Sequence, residues 1–517
     1  MSDSETKMAS PVPHCSDSEI VPNDSPETPE SPQPTAELHN LQLVLVILGL
    51  WLSLFLCSLE TTIVSTSLIH IANDLHDLGD ASWIVVAYLL TFNAFMLIWS
   101  KLSDTFGTKW LLLSANVVFC VFSIACAVSK TMVQLRSPLE IIFRAFQGVG
   151  GSGISVFALA SLLGPILGGV ISDQSTWRWI FWLNVPGIAV AFTILAKFMN
   201  GGKSSQQVLK SMKTMDVVGA FLSLAWAILL IFALQEGGKA YSWNSSVIIG
   251  TLVTGIVMLF VFAAWEWWIY RHSNTDRLFP VSLLKRSVVV LLFLNLLLLG
   301  FTFYVPVIQI PQRFQYVNNQ TATRAGILLL PLTLVSPATA LAAGSQVGIH
   351  RFWAPGLAIL GGCLNLIGIT LMSTLPIGGD VPAAQFGYQV IIGMSLGLMT
   401  PTLLYLLKVE VPEKDMAGAM GVGNMGRTLG GCIGLAICGS VLQSELNTEL
   451  PKFLSPQQIA AISASSGSTA QVLTPEQLVR VGGVYGDGFN LEFKGLIAFA
   501  RLGVITAVLL WSPAYAV

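Results

Sequence analysis

Glu60, Arg144 and Gln147 are polar residues in apolar surroundings. Glu60 lies deep in the apolar run 42–70, and Arg144 and Gln147 lie together in the run 139–172. An ionised carboxylate at the centre of a membrane helix costs several kcal/mol, about 2.5–3.5 for Asp on insertion scales. Glu60 must therefore be neutral, paired or turned toward water. Burial disfavours its ionised form, so it is suited to take up a proton from one side and release it to the other. The alternative is a structural hydrogen bond to a neighbouring helix. Arg144, the second charge of this kind, reads equally as a fixed counter-ion to a carboxylate.

Other chemistry finds no support. Gly201-Gly202-Lys203-Ser204 ends like a phosphate-binding loop, but the glycine required at position 197 is Lys197. The six histidines (His14, His39, His70, His76, His272 and His350) form no H-E-x-x-H motif or other ligand cluster, and no Ser/His/Asp grouping is discernible. Six of the seven cysteines lie in apolar runs, without metal or disulfide spacing. The expectation is no enzyme, no metal and no cofactor. An ion gradient is then the energy source, and a buried acid makes protons the natural ion.

The elements that carry these residues follow from composition. Of 517 residues 53% are hydrophobic and only 10% charged, and the mean hydropathy is +0.71. Soluble domains carry about a quarter charged residues. Residues 1–40 hold eight acids and one base, leaving 25 bases and 20 acids in the remainder. That thin positive balance excludes the basic stripe of a nucleic-acid binder. Thirteen apolar runs recur, at 42–70, 82–100, 110–128, 139–172, 178–196, 217–234, 247–269, 287–308, 325–344, 353–373, 386–407, 425–443 and 495–512. The fold class is an all-α polytopic membrane protein.

Basic residues orient the spans. Loops with Lys101 and Lys109, with Lys197, Lys203, Lys210 and Lys213, and with Arg271, Arg277, Lys285 and Arg286 are expected to face the cytoplasm. The sequons at Asn244 and Asn319 then fall outside, as glycosylation candidates. An even number of crossings must separate the loop at 101–109 from that at 197–213, yet three apolar runs lie between them. The middle run, 139–172, is too long for one upright span and too short for two with a turn. It contains Gly148-Val149-Gly150-Gly151-Ser152-Gly153.

Four motifs carry a resemblance. Ser100-Lys101-Leu102-Ser103-Asp104-Thr105-Phe106-Gly107-Thr108-Lys109 is a tight turn in which Gly107 relaxes the backbone, Asp104 can cap a helix and Lys109 can meet a phosphate or carboxylate. It resembles the loop signature G-x-L-[AS]-D-R-x-G-R-[KR] between spans 2 and 3 of the major facilitator superfamily. Leu59-Glu60-Thr61-Thr62-Ile63-Val64 resembles the first-span signature of the 14-span drug:proton antiporters, where Asp is usual in place of Glu60. Phe143-Arg144-Ala145-Phe146-Gln147-Gly148-Val149-Gly150 resembles the fourth-span signature R-x-x-Q-G-x-G. Leu163-Gly164-Pro165-Ile166-Leu167-Gly168-Gly169 resembles the fifth-span signature G-P-x-x-G-G. The resemblance covers residues 41–512 and is closest to fungal toxin and drug efflux pumps.

The resemblance implies two pseudo-symmetric six-helix bundles with two extra central spans. The expected layout is a disordered acidic cytoplasmic tail at 1–40, a bundle at 41–198 compressed at 151–164, linkers with the two extra spans at 199–285, a second bundle at 286–443, an extracellular loop at 444–494, and the last span and C-terminus at 495–517. Fourteen spans are usual, and part of spans 4 and 5, on the order of 30 residues, is missing between Gly151 and Gly164. Glu60 and Arg144 become the proton-coupling candidates, with Gln147 adding a hydrogen bond in the same cavity. Asp104, Gly107 and Lys109 form a conformational latch. Gly164, Pro165, Gly168 and Gly169 form a closely packed hinge, and Arg427, in Gly426-Arg427-Thr428-Leu429-Gly430-Gly431, a late-span element or simply a helix start.

The function implied is proton-coupled export of hydrophobic or amphipathic small molecules. A proton-coupled importer, for instance of iron chelates, and a non-transporting isoform are the alternatives. Expected partners are a small-molecule substrate, protons and the lipid bilayer, with the chain a monomer in the plasma membrane or the vacuolar membrane.

Overall fold

The computed structural model describes residues 40–74, 106–128, 173–199, 216–237, 241–272, 281–349, 351–377, 380–412, 415–464 and 473–511, with positions 87–88, 91–92, 95, 98–99, 102, 147, 167 and 170–171. The expected tail before residue 40 and the compressed segment 151–164 lie outside the described residues. Thirteen α-helices are described: α1 (Asn40–Asp74), α2 (Thr108–Val128), α3 (Arg178–Phe198), α4 (Val217–Glu236), α5 (Ser246–His272), α6 (Ser287–Tyr316), α7 (Ala322–Leu328), α8 (Leu330–Ile349), α9 (Ala354–Met372), α10 (Ala384–Glu410), α11 (Met416–Glu449), α12 (Pro456–Ala464) and α13 (Pro475–Leu509).

Apolar composition explains why the helices form. A backbone in hydrocarbon must satisfy its own polar groups, and a helix does so within one segment. Among the described residues nine helices are long and apolar enough to cross a membrane. Phe221, Phe260 and Leu341 project outward from α4, α5 and α8, as lipid-facing side chains do. The helices pack in three sets: α3 against α1 and α2; α4 against α5; and α6, α8, α9, α10, α11 and α13 among themselves. Helix α1 also packs on α6 and α7, and α4 on α11.

Small residues set the closest approaches. A side chain at Gly187 would meet Leu56, and one at Gly49 would meet Ile194 and Leu195, so α1 and α3 lie tightly together. Between α6 and α11, a Cβ at Gly300 would overlap the Arg427 carbonyl, and one at Gly430 the Leu297 carbonyl. Dispersion and interhelical contact, rather than a hydrophobic gradient, hold such pairs in lipid.

The last helix departs from the expectation of a loop over 444–494. Helix α11 runs on to Glu449, and α13 starts at Pro475 rather than near 495. Thr474 and Gln477 form a capping box and Pro475 occupies the first turn, a strong start signal. Hydropathy misses it because Asp487, Glu492, Lys494 and Arg501 dilute the apolar residues. Next to this start, Leu450, Leu454, Ile462, Leu473 and Val481 form a small core of their own.

Candidate functional site

Glu60 is 1% exposed. Leu56, Leu59, Glu60, Ile63, Val64 and Ser67 share the buried stripe of α1, at the three- and four-residue spacing of one helix face. Asn184 of α3 donates through Nδ2 to Glu60 Oε2 at 2.7 Å, and the same nitrogen lies 3.3 Å from Ser123 Oγ of α2. Gln147 Nε2 donates to Ser123 Oγ at 2.7 Å, and Cys126 Sγ lies 4.0 Å from Gln147 Oε1. Asn184, Ser123 and Gln147 are fully buried. Asn184 Oδ1 has no donor among the described residues. The network thus ties three helices and Gln147 to one carboxyl group.

Of the four network members besides Glu60, sequence reasoning singled out one. Gln147 was expected beside Glu60, and the structure brings the two together through Asn184 and Ser123. Asn184 and Ser123 were missed, since neither is charged; an asparagine inside an apolar span was the available signal. Arg144, Asp104, Gly164, Pro165, Gly168 and Gly169 lie outside the described residues.

A second polar layer joins α6 to α13. Gln309 Nε2 donates to Glu492 Oε1 at 3.4 Å. One turn on, Arg313 donates to Asn490 Oδ1 at 2.9 Å, to the Gly486 carbonyl at 3.3 Å and to the Pro376 carbonyl at 3.1 Å. Asn490 donates in turn to the Leu375 carbonyl at 2.8 Å. Glu492 is 1% exposed and Arg313 is equally buried. Sequence reasoning missed Glu492 because it fell in the supposed loop. On α10, Gln385 and Gln389 are fully buried, and their side-chain amides have no partner among the described residues.

Arg427 lies inside α11, eleven residues after Met416, not at a helix start. Its guanidinium stands 5.4 Å from the Phe303 ring centre and 5.9 Å from that of Tyr304, both on α6, in range for cation–π attraction. It is 3% exposed. The glycines around it allow α11 to reach α6, and the arginine occupies the space beside that crossing.

The profile of the Major Facilitator Superfamily matches residues 50–161 and 154–435, well over half of the chain. The chain belongs to this superfamily. The MFS-type transporter FPY5 of Fusarium mangiferae is 40% identical over 501 aligned positions, covering 89% of this chain and 82% of that protein. Efflux pump bfoC of Aspergillus brasiliensis is 28% identical, covering 95% and 91%. A bacterial homolog of the human lysosomal transporter Spinster, in an inward-facing and occupied conformation, shares the fold at a TM-score of 0.54 and 14% identity, covering 92% of this chain and all of that one. This is a multi-pass membrane transporter of the major facilitator fold, not an enzyme.

The matches carry two further features. The two profile matches overlap at 154–161. The FPY5 alignment has 501 positions, while 89% of 517 residues is about 460, so about 40 positions of that relative face no residue here.

Of the superfamily loop signature, Gly107 and Lys109 are described. Gly107 has φ 86°, the left-handed conformation that suits glycine, directly before α2. Lys109 is half-buried in the first turn of α2. The sequon asparagines Asn244 and Asn319 are both exposed: Asn244 lies in the turn before α5, whose far end bears Arg271, and Asn319 in the turn after α6, whose far end adjoins Lys285 and Arg286. Asp216 caps α4 by accepting from Gly219 N at 2.8 Å, and accepts from Trp265 Nε1 of α5 at 3.0 Å, a role that holds the two central helices together.

Proposed function

We propose that this transporter exports hydrophobic or amphipathic small organic molecules in exchange for protons, by alternating access between its two bundles. The observation that carries the reading is the Glu60 carboxyl, withdrawn from water inside a span and held by the Asn184 amide. Proton exchange at this carboxyl requires access to water from one side and then the other. Protonation of Glu60 changes what Asn184, Ser123 and Gln147 bind, and so biases the packing of α1, α2 and α3. The direction of transport follows the relatives, among them a protein named an efflux pump.

The remaining assignments complete the proposal. Bundles at 41–198 and 286–443 rock about a midplane cavity, in a monomer whose loops at Asn244 and Asn319 lie outside the cell. Arg144 and Gln147 belong to the proton pathway, Asp104, Gly107 and Lys109 to the latch, Gly164, Pro165, Gly168 and Gly169 to the hinge. The test is transport in vesicles under an imposed pH gradient. Glu60→Gln should abolish gradient-driven export while leaving membrane expression intact, and Glu60→Asp should retain part of it. Wild-type export by Glu60→Gln sinks the proposal. Deleting the gene and measuring which metabolites accumulate in cells names the substrate.

A second reading, a non-transporting isoform, is favoured by the overlap of the profile matches at 154–161 and by the unmatched positions of FPY5. Loss of one helix and a turn, on the order of 30 residues, accounts for both. Sequencing the transcript decides it: a messenger RNA that carries the segment removes this reading.

A further inference from the structure

We infer that Glu492 is a second proton-binding carboxyl group and that Gln309 responds to its protonation state. The inference rests on the proposed proton coupling but concerns the other bundle.

The geometry of the two polar layers is related by an exchange of roles. In one, the carboxyl is on the first helix, α1, and the amide on α3; in the other, the amide is on α6 and the carboxyl on the last helix, α13. Each carboxyl is 1% exposed, and each amide is at least nine-tenths buried. In both, the amide nitrogen faces the carboxyl while the amide oxygen, Asn184 Oδ1 or Gln309 Oε1, has no donor among the described residues.

An amide has a donor end and an acceptor end. Its nitrogen suits an ionised carboxylate; its oxygen suits the O–H of a protonated one. Half a turn about the last side-chain torsion of Gln309 exchanges the two ends. The step is proton binding alone: a proton from water adds to a Glu492 oxygen, no other bond changes, and release reverses it. The protonated acid then supplies the donor that Gln309 Oε1 lacks.

Charged and titratable groups stand around Glu492 on each helix packed against α13. Arg313 of α6 lies one turn from Gln309 and interacts electrostatically with both Glu492 and Asp487. Cys438 of α11 also feels Glu492. Helix α9 carries no charged residue, and Cys363 is its single titratable side chain. On α13 itself the neighbours are Asp487 and Lys494. Pro306 and Pro311 flank Gln309 within α6, so this stretch lacks two backbone donors and bends readily. Helix α6 also packs on α1, the helix that carries Glu60.

The test is infrared difference spectroscopy of the full chain in lipid nanodiscs across a pH jump, reading the carboxylic C=O band. Glu60→Gln should leave a protonation band that Glu492→Gln removes, and Glu492→Asp should retain it at a shifted frequency. Gln309→Leu should move the band, because the acid loses its carbonyl acceptor. A difference spectrum unchanged by both Glu492→Gln and Glu492→Asp, in protein with wild-type helical circular dichroism, overturns the inference. A band that Gln309→Leu leaves in place removes the role of Gln309. If instead Glu60→Gln alters neither spectrum nor transport while the Glu492 band persists, the proposed role of Glu60 fails and Glu492 stands.

Discussion

The Asn184 amide donates to the Glu60 carboxyl across 2.7 Å, joining α3 to α1 where neither side chain reaches water. Removing one partner of a buried hydrogen bond leaves the other with its full desolvation penalty, about 1–3 kcal/mol and more when it is charged. Asn184→Ala should therefore lower the thermal stability of the detergent-solubilised protein and reduce gradient-driven transport. Asn184→Gln should recover part of both. A melting temperature equal to wild type in Asn184→Ala means that the contact carries no energy.

Ser123 receives two amides, from Gln147 and Asn184. Ser123→Ala removes their shared acceptor, at a cost of about 1–3 kcal/mol by the same rule. The pH at which export is half-maximal should shift, since Asn184 is then free to reorient against Glu60. An unmoved pH profile separates Ser123 from proton coupling.

The crossing of α6 and α11 has no space for a side chain at Gly430. Overpacking costs about 1–3 kcal/mol in a core that can adjust, and here the obstacle is backbone. Gly430→Val should abolish the monodisperse peak in size-exclusion chromatography, whereas Gly344→Val, at an open position of α8, should leave it.

Arg427 faces Phe303 and Tyr304 with a planar guanidinium, a contact worth about 0.5–2 kcal/mol that a lysine ammonium does not reproduce in stacked geometry. Arg427→Lys should lower the melting temperature, and Phe303→Leu in the same background should cost less than it does in the wild type. Additive losses would show that the two side chains act independently.

Asp173 Oδ2 accepts from the backbone N–H of Thr323 at 2.7 Å, linking the segment before α3 to the start of α7. A charge-assisted bond of this kind contributes about 1.5–3 kcal/mol, roughly a ten- to hundredfold change in a two-state population. Asp173→Ala should lengthen the distance between spin labels on Gln174 and Gln320. An unchanged distance distribution means that the contact does not hold the two segments together.

The spans were legible because twenty apolar residues with few charges have little alternative to a membrane helix. Glu60 was legible because a charge in such a run is costly enough to demand a reason. Asn184 and Ser123 were not, because uncharged polar residues pass unnoticed in an apolar average, and their partners come from helices distant in sequence. Glu492 was hidden by its own helix: the charges that make the first half of α13 useful also lower its hydropathy. The capping box at Thr474 and Gln477 was the local signal that outweighed it. Arg427 was visible as a motif residue, but its place beside Phe303 depends on how α11 crosses α6.

Helix α13 has 35 residues; at 1.5 Å per residue it is about 52 Å long, against a hydrocarbon layer of about 30 Å. It is thus roughly 20 Å longer than such a layer is thick, and the small core around Leu454 and Ile462 packs at its N-terminal end. The same rigid rod carries Glu492 and Asn490 within the bundle. A tilt about the buried carboxyl therefore becomes a larger displacement at the N-terminal end, as with a tiller. If the proposed coupling through Glu492 holds, an antibody fragment clamped on that end should slow export by holding the rod still.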